Sequence, residues 1–245
     1  MDFTDLKIGE RFQEETKYVR PSAFSARAEE KPVPSLTHPV PLPSPETGEG
    51  PGIWEVIRKR RSHRDYRSES LGLQELANLL WATQGVTLKA PAPWFRAVPS
   101  AGALHPIDTY LVVNRVEGLP PGVYWLNVEK FSLELKKPGD FSARIAEAAL
   151  DQEIARSAAV VFVWVAVIQR SRQKYRQRAY RYIYLDSGHI AQNLYLAAAA
   201  LNLGCCAMAA FFDEEVNRIV GADGTEETAV YLAAVGKSGK SRESF

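Results

Sequence analysis

Three polar segments of this chain carry residue types that could do chemistry. The first runs from Arg58 to Arg67, "RKRRSHRDYR", and packs six Arg/Lys and one histidine into ten residues against a single acid, Asp65. A run this basic suits a nucleic-acid patch, a solvated helix end, or a cradle for one bound anion. The second, Pro99-Ser100-Ala101-Gly102-Ala103-Leu104-His105-Pro106, is built mostly of small residues between two prolines. Such a loop lets backbone approach a flat ligand closely. The third, Gly236-Lys237-Ser238-Gly239-Lys240-Ser241-Arg242, is again basic. Arg and Lys hold phosphate through charge-assisted bonds, so two basic segments at opposite ends of the sequence suggest one anion clamped from both sides. A phosphate joined to a planar ring would satisfy all three segments together.

Charge and motifs narrow the choice. The 245 residues carry 30 Lys+Arg against 29 Asp+Glu, a net charge of +1. A nucleic-acid binder neutralises many phosphates and usually shows a basic excess over a whole face, so no nucleic-acid partner is expected. The two cysteines, Cys205 and Cys206, are adjacent, which gives neither a disulfide framework nor a zinc site. "AAVGKSGKSR" lacks the first glycine of a P-loop, because position 231 is Tyr, and it precedes no helix. "VPSAGALHP" is not a Gly-x-Ser-x-Gly elbow, and the four histidines show no metal-ligand spacing. The longest apolar run, Ala158 to Ile168, is too short to span a bilayer. "MDFTDLKIGERF" has no apolar signal core, so a reducing, cytoplasmic setting without membrane attachment is expected.

The elements that must position these segments follow from periodicity. Residues 1–51, with "KPVPSLTHPVPLPSPETGEGP", are rich in Pro and Gly and read as an extended, irregular arm, either a flexible tail or linker or a segment that wraps over the body or a partner subunit. "GIWEVIRKRRS" predicts a helix running into the basic cluster. "LGLQELANLLWATQG" places Leu73, Leu76, Leu79, Leu80 and Thr83 on one helical face and stops at Gly85. "DTYLVVNRV" predicts a strand, and "GVYWLNVEKFSLELKKPG" a hairpin about Asn127–Lys130. "AAVVFVWVAVI" is continuously apolar and predicts a central strand covered on both faces. A long buried helix closed by Gly204, a short helix at "DEEVNRIVG" and a last strand at "TAVYLAAVGK" complete an α+β domain over 52–245. Its helices are expected to flank a mixed central sheet.

The order of these segments resembles the nitroreductase superfamily of FMN enzymes, over about residues 52–242. The likeness rests on "RRSHR", on "PSAG" before the first strand and on "LGCCAMAAFFD" after the long helix. "LLWATQGV", "PSAGALHP", "KYRQRAYRYIYLDSGHIAQNLYLAA" and "LNLGCCAMAAFF" resemble its SagB-type dehydrogenase branch. The resemblance implies a homodimer with FMN at the interface. Arg60, Arg61, Ser62 and Arg64 would hold the ribityl phosphate and pyrimidine edge. Pro99, Ser100, Ala101 and Ala103 would come from the partner subunit and line the isoalloxazine. Ala209 and Ala210 would present backbone N–H near flavin N5, and Lys240 and Arg242, helped by Lys237, would complete the phosphate site. Many relatives have glycine where this chain has Ala209.

That branch also resembles azoline dehydrogenases, which aromatise rings in modified peptides. The resemblance makes Lys174-Tyr175 the pair that removes the proton. A lysine serves as a base when burial or nearby cations, here Arg170, Arg172, Arg176 and Arg178, favour its neutral form. The bland alternative for "QRSRQKYRQRAYR" is a solvated basic loop. Two other functions stay open: a nitro or quinone reductase with NAD(P)H as electron donor acting on a small molecule, and a non-catalytic ligand-binding protein on the same scaffold. His105 reads as a donor near the flavin or a turn cap. His189 reads as a core histidine, the tryptophans as mostly core, and the two cysteines as small buried residues.

Overall fold

The computed structural model describes residues 7–20, 38–48, 50–89 and 94–239. In chain order these residues form α1 (Ile8–Glu15), β1 (Val40–Pro41), α2 (Ile53–Lys59), α3 (Leu73–Gln84), β2 (Val86–Leu88), β3 (Phe95–Arg96), β4 (Ile107–Val113), β5 (Gly122–Asn127) and β6 (Ser132–Pro138). Then come α4 (Ser142–Ala148), α5 (Glu153–Ser157), β7 (Val160–Val167), α6 (Ile168–Tyr175), α7 (Ala179–Ala200), β8 (Leu203–Met208), α8 (Asp213–Val220) and β9 (Glu227–Lys237). Single 3-10 turns span Ala101–Ala103 and Arg176–Arg178.

The β-branched and aromatic run Val160–Val167 becomes the central strand because both of its faces can be buried. Phe162 and Trp164 point into the core shared with α3 and α7. Val161, Val163 and Val165 point into the core shared with α4 and α8. Both aromatic rings are fully buried, and each burial contributes roughly 1.5–3 kcal/mol. The strands run β1-β6-β5-β4-β7-β9-β8, with β2 and β3 forming a separate hairpin. Among the described residues every pairing in the large sheet is antiparallel. The sheet is therefore antiparallel where a mixed one was expected. The helical crossover from β7 lands on β8, two positions away, and β9 fills the gap between them running the other way.

Other expectations need correction. The long helix ends at Ala200, where Asn202 takes the left-handed conformation (φ 56°), and Gly204 lies inside β8. The basic stretch 168–178 is helix plus 3-10 turn, in keeping with the good helix propensity of Arg, Lys and Gln. Within the arm that was expected to be extended, Ile8–Glu15 is helical and Val40–Pro41 adds an edge strand against β6. Helix α1 docks because its start meets an acceptor: Gln177 Oε1 takes the Gly9 and Glu10 N–H groups at 3.1 and 3.2 Å. Arg20 then forks onto Glu215 at 2.6 and 3.0 Å.

Candidate functional site

Helix α2 ends at Lys59, and Arg60 turns the chain into an extended segment along the open end of β8 and β9. His63 N–H donates to Cys205 O at 2.9 Å, Arg67 N–H to Lys237 O at 3.0 Å, and Gly239 N–H to Asp65 O at 2.9 Å. The two basic segments expected to clamp one anion are thus backbone neighbours. Tyr66 locks them. Its ring lies over Gly204 and Gly236, where a Cβ would come within 2.9 and 3.2 Å of it. Its hydroxyl reaches His63 O and Ala234 O at 2.9 and 3.0 Å. Burial raises that phenol well above the usual tyrosine range, so it stays a donor.

Arg60 lies over the ring of Tyr195, 5.4 Å from its centroid. Ser62 Oγ is 3.0 Å from Tyr195 OH, which accepts the Ala207 N–H at 2.7 Å. Arg61 folds back onto the Arg58 and Arg60 carbonyls at 2.9 Å, and Arg64 is exposed. Among the described residues none of Arg60, Arg61 and Arg64 has a carboxylate partner. Lys237 does: its Nζ sits 2.5 Å from Glu75 Oε1, so its charge is already answered. Glu75 also accepts the Gly72 N–H at 2.8 Å and so caps α3. Lys240 and Arg242 lie outside the described residues. Ala209, at the end of β8, is exposed, and the Ala210 carbonyl accepts Gln152 Nε2 at 2.9 Å.

The small-residue loop docks at the other end of α7. Ser100 Oγ donates to Asp186 Oδ2 at 2.6 Å, and Ala101 N–H to the same carboxylate at 3.2 and 3.3 Å. His105 N–H donates back to Ser100 Oγ at 3.0 Å. Burial raises the Asp186 pKa, partly offset by the Ser100 bond. Gly102, Ala103 and His105 all have positive φ (63°, 54° and 44°), a strained arrangement for the last two. At Gly102 an added Cβ would fall 2.5 Å from Tyr175 OH and 2.8 Å from Lys174 Nζ. The structure therefore brings Lys174-Tyr175 onto the same loop as Pro99, Ser100, Ala101 and Ala103. Tyr175 stacks edge-on against Tyr182, with centroids 4.8 Å apart.

The field around Lys174 differs from expectation. Arg170 is neutralised by Asp108 and Arg172 by Glu226 (2.7 Å), leaving Arg176 and Arg178 exposed. Lys174 itself is exposed within one chain. His105 has a buried, unpartnered Nε2, and burial, then Arg96, lowers its pKa to about 4. His189 is exposed, because helical spacing groups it with Leu185, Gly188 and Gln192 on the outward stripe of α7. Trp54 is 82% exposed and, with Ile53 and Ile57, forms an apolar face on α2. The cysteines are buried and free, as expected.

Asp186 and Tyr195 hold the two groups of residues nine positions apart on one helix, about 13 Å along its axis. Neither residue was singled out from the sequence. The signal for Asp186 was present, since it is the lone acid between Tyr182 and Ala200.

Comparison with known proteins adds a family to this geometry. A profile described as the nitroreductase family matches residues 57–237. A Methanocaldococcus jannaschii protein named as a nitroreductase is 38% identical over 166 residues, 68% of this chain and 82% of its own. The trifolitoxin-processing protein TfxB of Rhizobium leguminosarum bv. trifolii is 35% identical over 113 residues, 44% of this chain and 30% of that one. The crystal structure of a nitroreductase-like protein from Anabaena variabilis superimposes with a TM-score of 0.65 at 29% identity, covering 76% of this chain and 38% of that one. The chain thus spans less than half the length of the last two.

Proposed function

The chain belongs to the nitroreductase family of oxidoreductases, and we propose that two copies of it hold FMN between them and oxidise azoline rings in a modified peptide. The observation that carries this reading is the division of the site along α7. One end offers three guanidinium groups without carboxylate partners among the described residues, and the other offers a small-residue loop with a lysine and a tyrosine against it. In the proposed two-fold dimer the basic end of one chain would meet the loop of its partner, and two-fold symmetry would repeat that contact, giving two equivalent sites. The exposed apolar face of α2 (Ile53, Trp54, Ile57) and Leu185 on α7 are the surfaces such a dimer would cover.

The residues present fit the cofactor. Arg60, Arg61 and Arg64 would neutralise its phosphate, with Lys240 and Arg242 completing the site and Lys237 contributing alongside its bond to Glu75. Ser62 would face the pyrimidine edge, held by Tyr195. Pro99, Ser100, Ala101 and Ala103 of the other chain would lie against the ring, and Ala209 and Ala210 would offer backbone beside N5. When bound, FMN supplies a two-electron acceptor for hydride. The protein's part is placement and the proton. Aromatising an azoline removes a hydride and a proton from adjacent ring carbons, and Lys174, steadied by Tyr175 against Gly102, takes the proton. The peptide substrate is supported by likeness to the trifolitoxin-processing protein. Purified, flavin-loaded protein mixed anaerobically with NADPH should keep its flavin colour. Rapid bleaching would instead assign a nitro or quinone reductase with NAD(P)H as donor.

A further inference from the structure

We infer that Asp108 is a positioning residue for Lys174-Tyr175, acting through a forked ion pair with Arg170 that fixes the gap between α6 and the 99–106 loop. The inference rests on the role proposed for Lys174-Tyr175, but the brace itself stands on geometry.

Arg170 Nη1 and Nη2 meet the two oxygens of Asp108 at 2.5 and 3.0 Å, and Nη1 also reaches His105 O at 3.4 Å. Paired guanidinium and carboxylate forks constrain orientation as well as distance. Asp108 is the second residue of β4, just where the loop re-enters the sheet. Arg170 and Lys174 are four apart on α6 and so share a face. The loop is thus touched twice by one helix: at its exit through Asp108–Arg170, and at its tip where Gly102 meets Lys174 and Tyr175. Helix α6 leaves β7 directly, where Val167 N–H donates to Pro106 O at 2.7 Å, and its outer side is held by Glu226, through Ile168 N–H at 2.9 Å and Arg172 at 2.7 Å.

Asp108 answers more than one cation. Arg96 is held behind it by Gln84 Oε1 at 2.9 Å, and Gln84 is in turn fixed by Ile107 O and Thr109 Oγ1 at 3.1 and 3.2 Å. The Arg96 guanidinium is destabilised by burial and by Arg170, and is stabilised by Asp108. Removing the carboxylate therefore leaves two cations, Arg170 and Arg96, without the anion that offsets their mutual repulsion. Removing Arg170 takes away one of those cations. This predicts an order of effects that a generic loss of packing does not.

The test measures acetic-anhydride labelling of Lys174 in the full-length protein by mass spectrometry, relative to Lys59 and Lys136. Asp108→Asn should change Lys174 labelling several-fold, Arg170→Met less, and Asp108→Glu should return it toward wild type. Circular dichroism confirms that each variant is folded. Should Asp108→Asn fail to fold, Arg170→Met against Asp108→Glu still decides. Wild-type labelling in folded Asp108→Asn or Arg170→Met, or an Asp108→Glu variant no closer to wild type, overturns the inference. Flavin content of the same wild-type sample reports the proposed function separately, because a colourless protein would sink that reading while leaving the labelling comparison decisive.

Discussion

The two ends of α7 are held in place by different physics. At the basic end, position is set mainly by backbone: residues 63–67 hydrogen-bond to Cys205, Lys237 and Gly239, a buried tyrosine wedges the join, and one ion pair, Lys237–Glu75, lies beside it. At the loop end, position is set by charged side chains: Asp186 holds Ser100 and Ala101, and Asp108 holds Arg170. Backbone pairing is indifferent to pH and salt, whereas side-chain braces respond to both. A phosphate site gains from rigidity. A loop that must admit a substrate gains from a hold that can yield.

The largest effect should come from removing the wedge. Tyr66→Ala leaves a cavity over Gly204 and Gly236 and frees two carbonyls, so it should cost about 3–5 kcal/mol, read by urea denaturation. Tyr175→Ala at the loop end, where that ring is only partly buried, should cost less. Next, Arg60→Ala should weaken the proposed FMN binding by roughly 1.5–3 kcal/mol, or about 10- to 150-fold, without changing the proposed dimer. Unchanged flavin retention would remove the proposed role of the basic cluster.

The pH response belongs to the loop end. His105 has a folded pKa of about 4, below its unfolded value, because burial and Arg96 oppose its charge. The unfolded chain therefore takes up the proton first, and stability is lost as pH falls from about 6.5 toward 4. Because the ring is half-exposed, the loss should be only about 1–2 kcal/mol after allowing for solvent screening. Asp186, raised by burial, works in the opposite sense, losing stability as pH rises through its folded value. Comparing His105→Gln with wild type in thermal melts isolates the histidine contribution, and an identical pH slope would contradict it. The smallest effect should be Gln177→Ala. Losing the acceptor for Gly9 and Glu10 N–H should cost about 1 kcal/mol locally. Faster proteolysis of residues 7–20 with an unchanged global melt is the expected readout.

Much of the framework was legible because burial leaves a period. Leu76, Leu79 and Leu80 marked α3, and the Val-rich run marked the central strand. Sheet order was not legible, since whether β9 inserts between β7 and β8 depends on long-range pairing rather than local pattern. Helix α1 was hidden by its few apolar residues, Ile8 and Phe12, and by its dependence on Gln177, far away in sequence. Arg60, Arg61 and Arg64 announced themselves by charge density. The residues that hold the site together did not: Tyr66 and Tyr195 at the basic end, and Asp108 and Asp186 at the loop end, act through partners that only the fold supplies. His189 misled because its sequence neighbour Ile190 is buried, while its helical neighbours Leu185, Gly188 and Gln192 all face outward.

The central claim is that one site is completed by two chains, and mixed dimers test it most directly. One tagged chain carries Arg60→Ala with Arg64→Ala. The other carries Gly102→Val, which sets a branched side chain at φ 63° against Tyr175 and Lys174. Each parent dimer should lack flavin, while doubly purified mixed dimers should show flavin absorbance corresponding to one FMN per two chains. Mixed dimers as colourless as their parents would place the whole site within a single chain and contradict the account.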